Sequence, residues 1–286
     1  MSGTEMTPGE YISHHLINLT QKSPDVQTGI FDFSYINLDS LFFSITTGIL
    51  VFFILFITAR KMKAGVPGRL QAAVELLVEF VDSSCKELIS NEKSRRVIAP
   101  LGLTIFVWIM VMNTMDLLPV DLLPRLWQSL SGDPHAYLRV VPTADLNTPM
   151  AMAISVLFLC IVYNLKIKGF SGWMHEMFCA PFGNSVWLFI PNFVMNIIEF
   201  ISKTLSHGMR LFGNMYAGEI VFFVIALLGG TWGMAGASDK QNILLFSAQI
   251  IAGLAWAIFH ILVIVLQAYL FMVLTFVYLG QAHDSH

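Results

Sequence analysis

Three polar side chains stand close together in a segment that is otherwise apolar enough to cross a membrane. They are Arg210, Asn214 and Glu219. An ionised group at the centre of a bilayer costs roughly 2.5–3.5 kcal/mol on insertion scales, so such groups are rare there and usually mark an ion path. Arginine keeps its proton in proteins, since its pKa lies above ~12. The stretch therefore predicts an ion path organised around one fixed cation.

The spacing of these residues indicates which of them can act together on a helix. At about 100° per residue, Ser202, Ser206, Arg210 and Asn214 form one slowly turning stripe. Glu219 falls on the face opposite Arg210, which argues against a simple ion pair between the two.

A second apolar helix follows, and His260 and Gln267 share one of its faces. In an antiparallel hairpin, Gln267 would lie level with Arg210 and could position it, while His260 would lie level with Glu219. Histidine can take up and release a proton near neutral pH, because its reference pKa is about 6.5. The hairpin therefore predicts a proton-carrying face.

The polar residues of the spans divide into two groups, one on each side of Arg210. The predicted outer half-path contains Asn113, Asp116, Asp145, Asn147, Asn214, Glu219 and His260. The predicted inner half-path contains Glu199, Ser202 and Ser206.

This division has a physical purpose. A continuous polar channel would leak protons, whereas two offset dead ends conduct only if a carrier moves between them. A cation favours the ionised form of a nearby carboxylate, so Arg210 can make such a carrier release its proton. The carrier must come from another chain, because no lone carboxylate in mid-span faces Arg210.

The composition predicts an all-α membrane protein with about five transmembrane crossings. Of the 286 residues, 56% are hydrophobic and 12% are charged, against roughly 45–50% apolar residues in an ordinary soluble domain. The predicted spans are 41–59, 99–118, 147–165, 191–228 and 243–279. The last two form a long hairpin that must tilt strongly, because a perpendicular crossing needs only ~20 residues. A net charge of −3 provides no basic field for nucleic acid.

Other segments complete the predicted organisation. Residues 1–40 are a polar leader, and residues 41–286 form a single integral-membrane domain. Residues 67–90 place apolar and charged positions on different helical faces, which predicts an amphipathic helix on the cytoplasmic side. A loop spans residues 119–142, and a glycine-rich turn spans residues 229–236.

The basic residues predict the orientation. Half of the 16 lysines and arginines lie between the first and second spans, so the positive-inside rule places that loop in the cytoplasm. Lys166 and Lys168, after the third span, agree with this. The N-terminus is then outside and the C-terminus inside.

Several motifs resemble one family. Arg210-Leu-Phe-Gly-Asn214-Met-Tyr-Ala-Gly-Glu219, Trp256-Ala-Ile-Phe-His260-Ile-Leu and Asn113-Thr-Met-Asp116-Leu-Leu-Pro119 are similar to motifs in subunit a of the proteobacterial F-type ATP synthase. Further stretches fit as well, and they begin at Glu10, Gly65 and Gln267. The resemblance covers nearly the whole chain and is most specific over its last third.

The resemblance implies a stator against which a ring of c subunits turns. Protons would enter one half-channel, ride on the ring's carboxylates and leave by the other half-channel. Arg210 matches the family's essential arginine. The polar residues that assist this arginine in the family match Asn214, Glu219, His260 and Gln267. Asp116 and Asp145 match acidic residues at the mouth of the outer path.

The implied setting is the bacterial inner membrane, with the N-terminus periplasmic and the C-terminus cytoplasmic. The implied partners are the c-ring, the b subunits of the peripheral stalk and, indirectly, the catalytic head. No cofactor or metal is expected, and without a P-loop the ATP chemistry belongs to partner subunits. The chain is thus expected to be a non-catalytic, proton-translocating subunit.

The sequence departs from the family's pattern before Arg210. His207 stands where an apolar residue is common, and Thr204 where a proline often follows the lysine. Asn196 lacks a carboxylate that some relatives carry, while Glu199 lies nearby.

Other interpretations remain open. A stand-alone ion channel or secondary transporter would use the same polar residues, although no internal repeat supports a transporter. A haem protein would use His207 and His260 as axial ligands. Asn214 could simply join two helices by hydrogen bonds, and Glu219 and His260 could be a structural pair.

Some polar residues have plain interpretations. Lys203 could extend its amine to the inner surface, and His207 could be a tolerated residue on a helix face. For Asp121 and Arg139, an ordinary loop charge is an equal alternative to a functional role, and His14 and His15 are predicted to be structural.

Overall fold

The computed structural model describes residues 19–20, 36–63, 65–119, 122–132, 138–183, 185–230 and 239–282. Within these ranges the chain is helical and forms no β-strand, apart from one isolated antiparallel bridge between Thr20 and Asn37. The all-α prediction is confirmed. Outside the described residues lie most of the predicted leader with His14 and His15, Asp121, and most of the glycine-rich turn.

The described residues form seven α-helices. They are α1 (Leu38–Arg60), α2 (Arg69–Leu88), α3 (Glu92–Thr114), α4 (Leu122–Ser131), α5 (Asn147–Cys179), α6 (Phe189–Gly230) and α7 (Asp239–Gln281). Short 3-10 turns follow or precede them at Met115–Leu117, Pro142–Ala144 and Val186–Leu188. Five helices are long and apolar enough to cross a membrane, as predicted: α1, α3, α5, α6 and α7.

The last two helices are much longer than one crossing requires. α6 has 42 residues and α7 has 43. At 1.5 Å per residue each extends over roughly 60 Å, about twice the ~30 Å hydrocarbon thickness of a bilayer. Their strong tilt stays a prediction that follows from this length.

Two segments differ in detail from the sequence-based expectations. α5 continues to Cys179 instead of stopping near residue 165, and it bends where Gly169 adopts φ 71°. After the bend, the carboxylate of Glu176 lies close enough to pair with the amine of Lys168. The loop at residues 119–142 contains the short helix α4, whose Pro124 sits in the first turn, where a proline is tolerated.

Helix α2 has the amphipathic character that its sequence predicts. Val81 and Cys85 are buried, while Lys86 and Asp82 form an exposed ion pair at 2.5 Å. Phe80 packs against Phe106 of α3. Burial raises the pKa of the Cys85 thiol to about 11, with a smaller contribution from Asp82.

The chain divides into two compact units, each built from three sequence segments. The first unit contains residues 1–50, 109–145 and 212–266, and the second contains residues 51–108, 146–211 and 267–286. In the first unit, Ile109, Met112 and Met215 are fully buried. In the second, Met272 and Phe276 are fully buried, and a methyl group added at Gly102 would overlap the Phe276 ring.

Candidate functional site

The first unit contains a buried charge pair between a loop and helix α6. Arg139 Nη2 lies 2.6 Å from Glu219 Oε2, and the two side chains are only 7% and 10% exposed. The Arg139 guanidinium also lies over the Tyr216 ring, with its Cζ 5.6 Å from the ring centroid. Such a pair is costly to desolvate and is strongly held together once its geometry is set.

A second contact in the same unit joins the end of α3 to α7. His260 Nε2 lies 2.6 Å from Asp116 Oδ2, and the side chains are 1% and 5% exposed. Neither atom forms an aligned hydrogen bond with any described residue, so the imidazole and carboxylate are close but poorly oriented. The contact is an ion pair when the imidazole is protonated.

Glycine and aromatic residues hold His260 in place. A methyl group added at Gly218 would overlap His260 Cε1, so the imidazole packs directly against the backbone of α6. The rings of Phe222 and Trp256 lie 5.3 and 6.1 Å from the imidazole centroid. The ring therefore has little freedom to turn away from Asp116.

Polar contacts also fix the loop that carries Arg139. Asp39, at the start of α1, accepts hydrogen bonds from the backbone N–H groups of Leu19, Ser40 and Arg139 at 2.8, 2.8 and 3.0 Å. Asn37 donates to Asp145 at 2.7 Å.

Asn113 completes this arrangement at the end of α3. Its side-chain oxygen accepts a hydrogen bond from Thr143 at 2.7 Å. A cavity of about 40 Å³ is lined by Asp116, Arg139 and Glu219 among others. This is room for about one water molecule, which occupies ~30 Å³ in the liquid.

The second unit contains a larger polar cavity of about 360 Å³. Its ionisable lining includes two ion pairs, each with an amine and a carboxylate. Lys168 pairs with Glu176 at 2.7 Å, and Lys203 pairs with Glu199 at 2.5 Å. At ~30 Å³ each, several water molecules could fit here.

Two amides, the buried Asn192 and the half-buried Asn196, hold the turn beside this cavity. Asn192 donates to Phe178 O at 2.8 Å and accepts a hydrogen bond from Phe182 N at 3.1 Å. Asn196 donates to Met177 O and Ala180 O at 3.1 and 2.9 Å. The amide of Asn196 donates both of these hydrogen bonds, which a carboxylate at this position could not do. The asparagine therefore has a structural role here.

The fixed cation Arg210 lies half-buried on α6. Its Nη2 makes a long 3.5 Å contact with Ser206 Oγ. Gln267 on α7 is 5% exposed. Of the three predicted inner-path residues, Glu199 lines the cavity, whereas Ser202 and Ser206 are exposed on a neighbouring face. Among the predicted outer-path residues, Asn147 and Asn214 are exposed.

Three residues have more specific surroundings than their sequence suggested. Arg139 is an ion-paired residue in the first unit, so the ordinary loop charge is a wrong interpretation. The amine of Lys203 does not simply extend outward, because it forms an ion pair with Glu199 and donates a hydrogen bond to Gln281. His207 is a buried lining residue, 2% exposed. One signal could have identified Arg139, namely its place in the apolar run Leu138-Arg-Val-Val141.

Comparison with known proteins fits this arrangement. The family model described as ATP synthase A chain matches residues 41–280. ATP synthase subunit a of Acidovorax sp. (strain JS42) is 56% identical over 286 residues, which is 98% of this chain and 97% of the relative. The ATP synthase a subunits of Paracidovorax citrulli and Verminephrobacter eiseniae are each 54% identical, and again 98% of this chain and 97% of the relative are covered. The chain therefore belongs to the ATP synthase A chain family.

Proposed function

We propose that this chain is the proton-translocating stator subunit in the membrane sector of a rotary ATP synthase. It provides two offset proton half-channels, and Arg210 drives a carboxylate of a rotating c subunit to release its proton. The chain catalyses no reaction on nucleotide, and the catalytic head of the complex makes ATP. The expected location is a bacterial inner membrane, with the N-terminus periplasmic and the C-terminus cytoplasmic.

The observation that carries this proposal is the pairing of buried titratable groups in the first unit. Asp116 with His260, and Glu219 with Arg139, bring two carboxylates and an imidazole into an apolar setting beside water-sized space. Ionisable groups in membrane spans are costly unless they are used, and chains of acidic residues and histidine are typical of proton relays. A purely structural role would be met as well by apolar packing.

The outer half-channel is proposed to run through these groups. Its residues are Asn113, Asp116, Asp145, Asn147, Asn214, Glu219 and His260. Support comes from the contact between Asp116 and His260, and from the hydrogen bonds that hold Asn113 and Asp145 in the same unit.

The inner half-channel is proposed to use the cavity of the second unit. Glu199 lines that cavity. Ser206 is proposed to act through Arg210, which it contacts, and Ser202 through the same face of α6. Gln267 is proposed to position Arg210 as well.

Arg210 is proposed to face the c-ring and to separate the two half-channels. A guanidinium stays charged at any working pH, so it repels a free proton and attracts an ionised carboxylate. Other side chains of α6 that are apolar and exposed, Ile201, Leu205 and Met209, are available to contact lipid or a ring. The b subunits of the peripheral stalk are expected to hold the chain against rotation.

The test is the Arg210→Ala variant in the complete ATP synthase. ATP-driven proton pumping in inverted membrane vesicles and ATP synthesis should both be abolished, while the complex still assembles. Arg96→Ala is the matched control, because Arg96 is exposed and paired only with exposed Glu92 among the contacts described. Coupled pumping by Arg210→Ala would overturn the proposal.

A stand-alone ion channel or secondary transporter is the alternative. The purified chain in liposomes should not conduct protons, because the carrier carboxylate is on another subunit. Rapid proton conduction by the chain alone, measured with a pH-sensitive dye, would favour the channel.

A further inference from the structure

His207 occupies an unusual position in the cavity of the second unit. Its side chain is 2% exposed, and its Nε2 atom makes no hydrogen bond with any of the described residues. A buried polar atom without a partner costs about 1–3 kcal/mol, so native proteins seldom keep one without a reason. Because His207 also lines a cavity that could hold water, a water molecule at the ring could satisfy it.

The carboxylates of the cavity are engaged in ion pairs. Glu176 on α5 is paired with Lys168, and Glu199 on α6 is paired with Lys203. Each pair joins one amine to one carboxylate, so both carboxylates already have a partner.

Two other titratable groups face His207 from neighbouring helices. They are Cys160 on α5 and Tyr278 on α7, and both line the cavity. An imidazole has two ring nitrogens, so it can take up a proton on one and release a proton from the other. This distinguishes His207 from the thiol and the phenol, which each have a single titratable atom.

The position of His207 relates it to the fixed cation. It precedes Arg210 by three residues on α6, so the two side chains are neighbours on the helix surface. Its ring is held by Phe271, at 3.8 Å between centroids, and by the edge of Tyr278 at 5.5 Å.

We propose that His207 is a proton-relay residue of the inner half-channel, an inference that rests on the function proposed above. The neutral imidazole accepts a proton on its free nitrogen from a hydronium ion in the cavity, and that ion becomes water. The N–H on the other nitrogen then passes its proton to a second water molecule, and the ring returns to the neutral state as the opposite tautomer. One proton enters the ring and one leaves it, so the charge of His207 is unchanged. The ring must return to its first tautomer before it relays the next proton.

The first test compares His207→Gln and His207→Leu in the complete ATP synthase. The rate of ATP-driven proton pumping should fall about tenfold, less than the loss of an obligatory acid or base of ~100-fold or more, because cavity water still conducts. The dependence of the pumping rate on pH should change as well, because a group that takes up protons is removed. His175→Leu is the matched control, because His175 is exposed and does not line the cavity.

The second test separates proton transfer from packing. In His207→Ala, added imidazole should restore pumping, whereas pyrazole, a ring of similar size that takes up no proton near neutral pH, should not. Equal rescue by both compounds, or failure of all three variants to assemble, would assign His207 to packing and overturn the proposal. Unchanged rates and pH profile would do the same. If Arg210→Ala remained inactive in that case, the proposed function would stand without the relay.

Discussion

The two units handle their charged residues in different ways. In the first unit, Arg139 with Glu219 and Asp116 with His260 form two buried pairs in direct contact, near a cavity of about 40 Å³. In the second unit, the ion pairs are partly exposed, and they surround a cavity of about 360 Å³. In the proposed half-channels, protons in the first unit would pass between side chains, and those in the second through water. Apart from Arg210, whose replacement is expected to abolish activity, substitutions in the first unit should therefore have the larger effects.

The largest effect is expected when Arg139 is replaced by leucine. The change leaves the Glu219 carboxylate buried without its cation, and breaking a buried pair in this way typically costs about 3–5 kcal/mol. Thermal inactivation of the purified complex and the amount of assembled complex would measure the loss.

Two further variants make this test specific. The double variant Arg139→Leu/Glu219→Leu should regain much of the stability, because no charge is left unpaired. Arg96→Leu should change stability by less than about 1 kcal/mol, since the Arg96–Glu92 pair is exposed. An Arg139→Leu complex as stable as the parent would contradict the distinction between the units.

A smaller effect, on rate instead of stability, is expected from His260→Ala and from Glu219→Gln. Each removes a proton-carrying group of the first unit, so proton uptake from the outer side should slow at least tenfold without uncoupling ATP hydrolysis from pumping. The ratio of pumping to hydrolysis checks the coupling, and the exposed His175→Ala is the control. Parent-like rates in both variants would make these groups structural.

Gly218→Ala tests how tightly the first unit is packed. The added methyl group would overlap the imidazole of His260, which must then move away from Asp116. Proton pumping should fall several-fold with the complex still assembled. Gly213→Ala is a matched control on the same helix, because a methyl group there meets no atom within 4 Å. Similar rates for the two variants would show that His260 tolerates displacement.

The smallest effect is expected at Cys85, in the second unit. With its pKa raised to about 11, the thiol stays protonated at pH 8, and the reactive thiolate should increase about tenfold per pH unit up to that pKa. Maleimide labelling of the folded complex should be slow at Cys85 and should become rapid on denaturation. Rapid labelling at pH 8 would mean that water penetrates beyond the cavity into the core of the second unit.

The helices were predictable because they depend on local sequence. Runs of apolar residues of sufficient length predict α1, α3, α5, α6 and α7. The recurrence of apolar residues every three or four positions, which includes Val81 and Cys85, predicts the buried face of α2. The extension of α5 was missed, because Lys166 and Lys168 look like the end of a span. Lys168 instead pairs with Glu176 beyond the bend at Gly169.

The candidate site was predictable only in part. The sequence identifies Asp116, Glu219 and His260 as polar residues in apolar surroundings, but their partners are distant along the chain. Arg139 and Glu219 are 80 residues apart, so no local pattern relates them. Likewise, the exposure of Ser202 and the burial of His207 depend on which face of α6 packs against its neighbours.

Asp39 joins parts of the chain that are far apart in sequence. Its carboxylate accepts hydrogen bonds from the backbone N–H groups of Leu19 and Arg139. Asp39 therefore anchors both the β-bridge at Thr20 and the loop that carries the buried guanidinium. Trimming the polypeptide past Leu19, or inserting an affinity tag between Thr20 and Asn37, should therefore loosen that anchor and disturb Glu219 from a distance.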